Sequence, residues 1–129
     1  MTELKKQRTI IANTWEKIIA ATMVRYLNGV IVHMNNIGTS SYSFTGHATQ
    51  WSELKGFALC LQFNSKKLIS QANFELIHTK LGVKPAIASD GSEKIAEYKA
   101  LLLEVRNILK STYSFDSKNV GDENGLNGW

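Results

Sequence analysis

The sequence predicts an all-α protein, a helical bundle of about four helices in which the first helix is long and the third is short. Apolar residues recur every three or four positions in each long segment, no run alternates with the period of a β-strand, and the chain contains a single Pro. Its 129 residues are enough to bury one hydrophobic core. We therefore expect one helical bundle domain over residues 1–115 and a flexible polar tail over residues 116–129.

The first helix is predicted from Thr2 to about Ile37, which would make it about 50 Å long. Its main apolar stripe contains Trp15, Ile19, Tyr26 and Val30. Gly29 lies inside the helix, so we expect a kink, a close helix crossing or an early break there. Four further apolar residues lie off the stripe and predict additional uncovered surface: Ile10, Ile11, Ile31 and Val32.

The second helix is predicted to begin at Thr45 or Gly46 and to end at Phe63 or Asn64. After Gly56 it is apolar nearly all round, which is typical of a helix that is covered on several sides.

The third and fourth helices carry recognisable end signals. For residues 71–81, Ser70 is placed as the N-cap, Ile69 and Phe74 as a hydrophobic staple, and Gly82 at the left-handed C-terminal position. The fourth helix is predicted to start with Asp90 as the N-cap and Glu93 as its capping-box partner.

Charge and hydropathy exclude several classes of protein. The net charge of +4 comes from scattered Lys and Arg residues without a dense basic tract, which argues against a nucleic-acid partner. The most apolar stretch, residues 18–34, carries Arg25, Asn28 and His33, so we expect no membrane span. The N-terminus is basic but lacks the apolar core and cleavage site of a signal peptide. The single Cys60 has no internal disulfide partner and is expected to be a small buried residue.

Sequence motifs of catalysis are missing. The chain has no nucleophile elbow, no P-loop, no dinucleotide-binding glycine pattern and no paired-cysteine metal spacing. We assign no catalytic residue, and we expect a binding protein rather than an enzyme.

Polar residues within the apolar helices are the remaining candidates. In an antiparallel hairpin of the first two helices, His33 and His47 would approach each other, and with Glu53 they would offer ligands for zinc or iron. His47 and Glu53 are about 120° apart on a helical wheel, however, so they do not share a face. The competing interpretation is that both are packing residues, each tied by hydrogen bonds to a neighbouring helix or loop.

A haem pocket is a further hypothesis. It would be lined by aromatic residues, namely Trp15, Tyr26, Trp51, Phe57, Phe63 and Tyr98. A histidine with Met23 or Met34 would supply the axial ligands. The same aromatic residues at helical spacing are also typical of an ordinary core.

Three segments of the chain resemble a family of exported bacterial lipoproteins of unknown function that is similar in helical character to the imelysin-like iron-regulated proteins. The segments are HATQWSELKGFALCLQFN (47–64), NFELIHTKLGVKP (73–85) and AEYKALLLEVRNILKSTYSF (96–115). The matching positions are His47, Trp51, Ser52, Glu53, Lys55, Gly56, Phe57, Gln62, Phe63, Asn64, His78 and Gly82. The imelysin motif Gly-x-His-x-x-Glu is altered, since Gly46 and His47 are adjacent and Gln50 stands where the Glu would fall.

The resemblance implies the C-terminal part of a longer lipoprotein at the periplasm or outer surface of a bacterium, connected with iron or haem acquisition. Membrane attachment would come only from a lipid anchor outside this chain. The candidate binding residues under this reading are His33, His47, Trp51, Glu53, Lys55 and His78. The alternatives are a metal-dependent hydrolase or metal carrier that uses His33, His47 and Glu53, and a purely structural interaction domain.

Uncovered apolar helix faces predict a partner. We expect either a homodimer that packs the long helices together or docking to the protein's own N-terminal region.

Overall fold

The computed structural model describes residues 2–129, and it confirms the all-α prediction. The four main helices are α1 (Thr2–Asn35), α2 (Phe44–Cys60), α3 (Gln71–Leu81) and α4 (Ser92–Tyr113), followed by the short α5 (Ser117–Val120). A single turn of 3-10 helix, Ala88–Asp90, precedes α4. Within the described residues the only β-type pairing is an isolated bridge between Val120 and Gly128. As predicted, the first helix is long and the third is short.

Helix α1 runs through Gly29 without a break, and the glycine lies where α1 and α2 come close together. A Cβ atom at Gly29 would lie 2.8 Å from Cδ of Gln50 on α2. The buried face of α1 differs from the predicted stripe: its core residues are Ala20, Met23, Val24, Leu27, Val30, Ile31 and Met34. Ile31 is fully buried, so the prediction that it adds uncovered surface was wrong. Trp15, which was placed on the main stripe, is 67% exposed.

Helix α2 is capped by Ser43, whose hydroxyl accepts a hydrogen bond from the backbone N–H of Gly46. The helix ends at Cys60, earlier than the predicted Phe63 or Asn64, and residues 61–63 continue as turns. This early end lets the chain after Cys60 cross beside α1.

Two of the predicted signals of α3 are confirmed, the Ser70 cap and the positive φ of Gly82. The Ser70 hydroxyl accepts from the Asn73 N–H at 3.1 Å, and Gly82 ends the helix with a φ of 65°. Glycine adopts this left-handed region without a steric penalty, which explains its place there.

The predicted cap of α4 was wrong. Gly91, with a φ of 85°, is the N-cap residue, and Asp90 belongs to the preceding 3-10 turn. The Asp90 carboxylate accepts from the backbone N–H of Ile87 and from Lys84 Nζ at 2.7 Å. The sequence placed the start of α4 within two residues of its actual position. The Asp90 carboxylate, however, stabilises the 3-10 turn before the helix rather than the helix itself.

Residues 116–129, which were predicted to be a flexible polar tail, instead fold onto α1 and α4. The amide of Asn28 on α1 donates to the carbonyls of Val120 and Trp129 at 3.1 and 3.3 Å. Arg106 on α4 donates to the carbonyl of Asp122 at 2.7 Å. Close approach requires glycine here, since a Cβ atom at Gly128 would lie 2.6 Å from Cα of Gly121.

Helices α2 and α4 both run antiparallel to α1. Along α1, Asn35 contacts Lys99 near the start of α4, Asn28 contacts Arg106, and Glu16 contacts Tyr113 at its end. The start of α1 therefore projects beyond the last of these contacts, at Glu16, and its exposed residues 2–11 are about 15 Å of helix. Residues 2–11 are all exposed.

Candidate functional site

A concave surface lies between the first half of α1 and the end of α2, and we call it the α1–α2 groove. Its volume is about 590 Å³. The apolar walls consist of Ile11, Trp15, Ile19, Phe57, Cys60 and Phe63. Two of these side chains are unusually open for aromatic residues, since Trp15 is 67% and Phe63 is 78% exposed. Apolar clefts with few polar groups are typical ligand-binding surfaces.

The wall formed by α2 is supported from behind by an aromatic stack. Phe57 packs parallel to Tyr26 of α1 with the ring centroids 5.6 Å apart. This stack holds the α2 wall of the groove against α1, the helix that forms the opposite wall.

At the base of the groove lies the carboxylate of Glu16, which is only 1% exposed. Its Oε1 accepts from the backbone N–H groups of Leu68 and Ile69, at 2.8 and 3.1 Å, and from the Tyr113 hydroxyl at 2.8 Å. Its Oε2 accepts from Asn64 Nδ2 at 2.6 Å. Glu16 thus binds the chain after α2 and the end of α4 to α1. Four donors already occupy the carboxylate, so it holds the groove in shape.

The lining of the groove includes one basic residue. Arg8 lines it and, among residues 2–129, forms no hydrogen bond or ion pair. Lys5 and Lys6 lie in the adjacent exposed turn of α1. These cations favour a ligand that carries negative charge beside its apolar surface.

At the opposite end of α1, His33 and His47 come together, as the predicted helical hairpin required. Their rings stack with centroids 6.1 Å apart and an interplanar angle of 10°. Nδ1 of His47 lies 3.1 Å from the Tyr42 hydroxyl. Gly46 makes room for the pair, because a Cβ atom there would lie 2.6 Å from Cε1 of His33. Burial, and secondarily the neighbouring His33, lower the pKa of His47.

Glu53 does not join the two histidines. It lies on an exposed face of α2 and forms no hydrogen bond within the described residues, so the prediction that it is tied to a neighbouring element was wrong. Among residues 2–129 no group of three His, Cys, Asp or Glu residues is close enough to hold a metal ion. The structure therefore supplies two of the three expected ligands at one place.

The other predicted binding residues, Trp51, Lys55 and His78, lie where α2, α3 and α4 meet. Lys55 Nζ donates to the carbonyl of Gly82 at 2.6 Å, and the hydroxyl of Tyr98 donates to that of Leu81 at 2.8 Å. Trp51 donates to Tyr98 at 2.7 Å. These bonds satisfy carbonyl groups at the end of α3 that the helix leaves unpaired.

Burial changes the titration of this junction. It raises the pKa of Tyr98 to about 12 and lowers the pKa of Lys55. Burial and the nearby Lys55 also lower the pKa of His78. The hydrogen bond from Trp51 joins α2 to α4, and the hydrogen bond from Lys55 joins α2 to the end of α3. Both motif residues therefore stabilise this junction.

The aromatic set of the haem hypothesis is divided by the fold. Trp15, Phe57 and Phe63 line the groove, whereas Trp51 and Tyr98 belong to the α2–α3–α4 junction. Met23 and Met34 are buried in the core. Among the described residues, the groove lining includes neither His nor Met as an axial ligand for haem iron.

Sequence reasoning missed Arg8, Glu16, Cys60 and Asn64 as residues of this site. A signal for Glu16 was present: it stands at the head of the buried stripe formed by positions 20, 23, 27, 30 and 34. An acid at helical spacing with core residues predicts a buried, hydrogen-bonded carboxylate. Its partners gave no comparable signal, because they lie 48 to 97 positions away.

No protein-family model, curated protein or solved structure matches this chain. Among residues 2–129, none of the helices combines the length and apolar character needed to span a bilayer. The resemblance to imelysin-like lipoproteins stays a prediction from the sequence.

Proposed function

We propose that this chain is a non-catalytic helical binding module and that its functional surface is the α1–α2 groove with the projecting start of α1. The observation that carries the proposal is the exposure of large apolar side chains on both walls, Trp15 on one and Phe63 on the other. Contiguous exposed apolar surface in a folded protein is typical of an interaction site.

The construction of the groove supports a binding role. Glu16 fixes its base through four hydrogen bonds, and the stack of Phe57 on Tyr26 fixes one wall. The part of the groove around Glu16 and Phe57 is therefore held in place before a ligand binds, so ordering this part costs little conformational entropy. The proposal extends the expectation of a binding domain in an imelysin-like lipoprotein, with iron or haem acquisition as its biological setting.

Binding of a hydrophobic dye tests the proposal. The wild-type protein should bind an anilinonaphthalene dye saturably, and Phe63→Glu should reduce the fluorescence enhancement about fivefold or more, since it places a charge in the apolar wall. Val83→Glu is the matched control, because Val83 is 92% exposed and lies outside the groove lining. Circular dichroism should show the same helix content for all three proteins. Equal dye binding by both variants would contradict the proposal.

The metal-carrier alternative has one specific observation in its favour. His33 Nδ1 and His47 Nε2 are buried and have no hydrogen-bond partner within the described residues. Equilibrium dialysis against Zn²⁺ separates the two functions: stoichiometric binding that is lost in His47→Gln would support the carrier, and no binding above a His33→Gln/His47→Gln control would exclude it for zinc.

A further inference from the structure

We propose that the occupant of the α1–α2 groove is an acidic amphipathic helix, with an apolar stripe flanked by Asp and Glu, that packs along the projecting first half of α1. This inference rests on the proposed binding function and names the chemistry of the partner.

The shape of the exposed surface favours a helix. The most exposed apolar residues of the first half of α1 are Leu4, Ile11, Trp15 and Ile18, which are spaced by seven, four and three positions. This is the narrow a/d seam by which one helix packs against another. The seam is about 21 Å long, equivalent to four turns of a partner helix. The groove beside it extends the contact to Phe63 of the chain after α2.

Arg8 determines the charge of the partner. It occupies the seam position between Leu4 and Ile11, at a place where a coiled-coil seam normally carries an apolar residue. No described residue pairs with its guanidinium group. A helix packed over the seam would enclose this cation, and enclosing a charge without a counter-ion is costly. The partner therefore needs a carboxylate opposite Arg8, which accepts two parallel hydrogen bonds from a guanidinium.

The net charge around the seam also favours an acidic partner. Over residues 2–19 the exposed cations are Lys5, Lys6, Arg8 and Lys17, whereas the exposed carboxylates reduce to Glu3 because Glu16 is buried. Of these cations, Lys5 flanks the seam, whereas Lys6 and Lys17 lie on the opposite face of α1. The overall excess of positive charge still accelerates the association of an acidic partner at low salt.

The same charges disfavour a second copy of this chain. Two seams packed in parallel would place Arg8 opposite Arg8, and two antiparallel seams would enclose both guanidinium groups with no carboxylate at a seam or flanking position. Like charges placed across an interface are destabilising.

The projecting segment also has little to stabilise it in the free protein. Its side-chain hydrogen bonds are local, from Gln7 to Glu3 and from Thr9 to the carbonyl of Lys5. Short helical segments without tertiary contacts are only marginally stable in water. A partner helix would supply the missing contacts along this part of α1.

The test uses two designed 21-residue helical peptides with the same Leu seam, one flanked by Glu and the other by Lys. Fluorescence anisotropy should show that the full chain binds the Glu peptide at least about tenfold more tightly than the Lys peptide, and that raising the salt concentration reduces this preference. Arg8→Glu should abolish or reverse the preference. Lys94→Glu, a change of the same charge at an exposed position near the start of α4, should leave it unchanged.

Cys60 reports where the peptide binds, because it is the only cysteine and it lines the groove. The rate of its reaction with a disulfide reagent should fall about fivefold or more when the Glu peptide is bound. An unchanged rate would place the peptide elsewhere and overturn the inference.

Other outcomes separate this inference from the proposed function. Equal binding of both peptides with protection of Cys60 would overturn the acidic partner and leave the apolar docking surface in place. Failure of both peptides, together with equal dye binding by Phe63→Glu and Val83→Glu, would overturn the proposed function itself. A stable dimer by light scattering that protects Cys60, or binding to anionic vesicles that the Glu peptide does not displace, would replace the helix by a second copy or a lipid surface.

Discussion

At Glu16, one buried carboxylate joins α1, the chain after α2 and the end of α4. Burial, with the hydrogen bond and charge of Glu16, raises the pKa of Tyr113, so the phenol stays protonated as the donor. A buried acceptor with four donors is expensive to change, because each donor left unpaired costs free energy.

We expect Glu16→Gln to lower the free energy of unfolding by about 2–3 kcal/mol. The amide keeps the shape of the side chain, but its NH₂ group replaces an oxygen that accepts a hydrogen bond and faces another donor. Urea denaturation followed by circular dichroism measures the change. Glu93→Gln, at an exposed position in the first turn of α4, is the control and should change stability by less than about 0.5 kcal/mol. Equal effects would show that the Glu16 network contributes little to stability.

The buried histidines His47 and His78 make stability depend on pH. An unfolded histidine binds its proton near pH 6.5, whereas burial lowers the pKa of His47 and of His78 in the folded protein. As the pH falls through 6.5, the unfolded state therefore binds more protons than the folded state, and the free energy of unfolding decreases.

Urea denaturation at about pH 7.5 and about pH 5.5 should show this loss of stability in the wild-type protein. The loss should be smaller in His47→Gln, which removes one of the two groups, and it should remain in Lys94→Gln. The same loss in His47→Gln as in the wild type would contradict the assignment.

Helix α2 contains two glycines that differ in the space around them, Gly46 and Gly56. A Cβ atom at Gly46 would lie 2.6 and 3.0 Å from two atoms of the His33 ring, whereas a Cβ atom at Gly56 would meet nothing within 4 Å. Alanine is favoured over glycine inside a helix by about 1 kcal/mol. The contacts of the added methyl group therefore determine whether each Gly→Ala substitution stabilises or destabilises the protein.

Gly56→Ala should raise the free energy of unfolding by about 0.5–1 kcal/mol, and Gly46→Ala should lower it, since the stacked His33 must move. Thermal denaturation of the two variants beside the wild type tests this pair. An increase for both would show that the His33 ring shifts without cost.

The whole chain divides into a packed bundle and a projecting start. Residues 2–11 are exposed, while the buried residues of α1 begin at Glu16 and continue to Met34. Hydrogen exchange should therefore be fast at the backbone amides of residues 6–11 and slowest at those of residues 23–31, because exchange reflects local opening. Uniform protection along α1 would contradict this division and indicate that the start of the helix is already covered by a second copy.

Saturation with the Glu peptide should slow exchange at residues 6–11 and leave residues 23–31 unchanged. The Lys peptide is the control. This measurement connects the exposed seam of α1 with the proposed partner at the scale of the entire molecule.

The sequence by itself determined the class of fold, the length of α1 and the bounds of α3. These features follow from local causes: helical spacing of apolar residues, the Ser70 cap and the left-handed Gly82 act between residues that are close in the chain. The approach of His33 and His47 was also predictable, since a short connection between two helices brings their joined ends together.

Only the tertiary structure decided which face of α1 is buried, where Glu53 and Trp15 point, and that residues 116–129 fold against Asn28. The groove likewise depends on contacts between Glu16 and residues 48 to 97 positions away. Periodicity shows that a helix has an apolar face but not which neighbour covers it or where that neighbour ends. The ends of α2 and α4 leave residues 2–11 of α1 exposed, and only the packing of the helices fixes where those ends lie along α1.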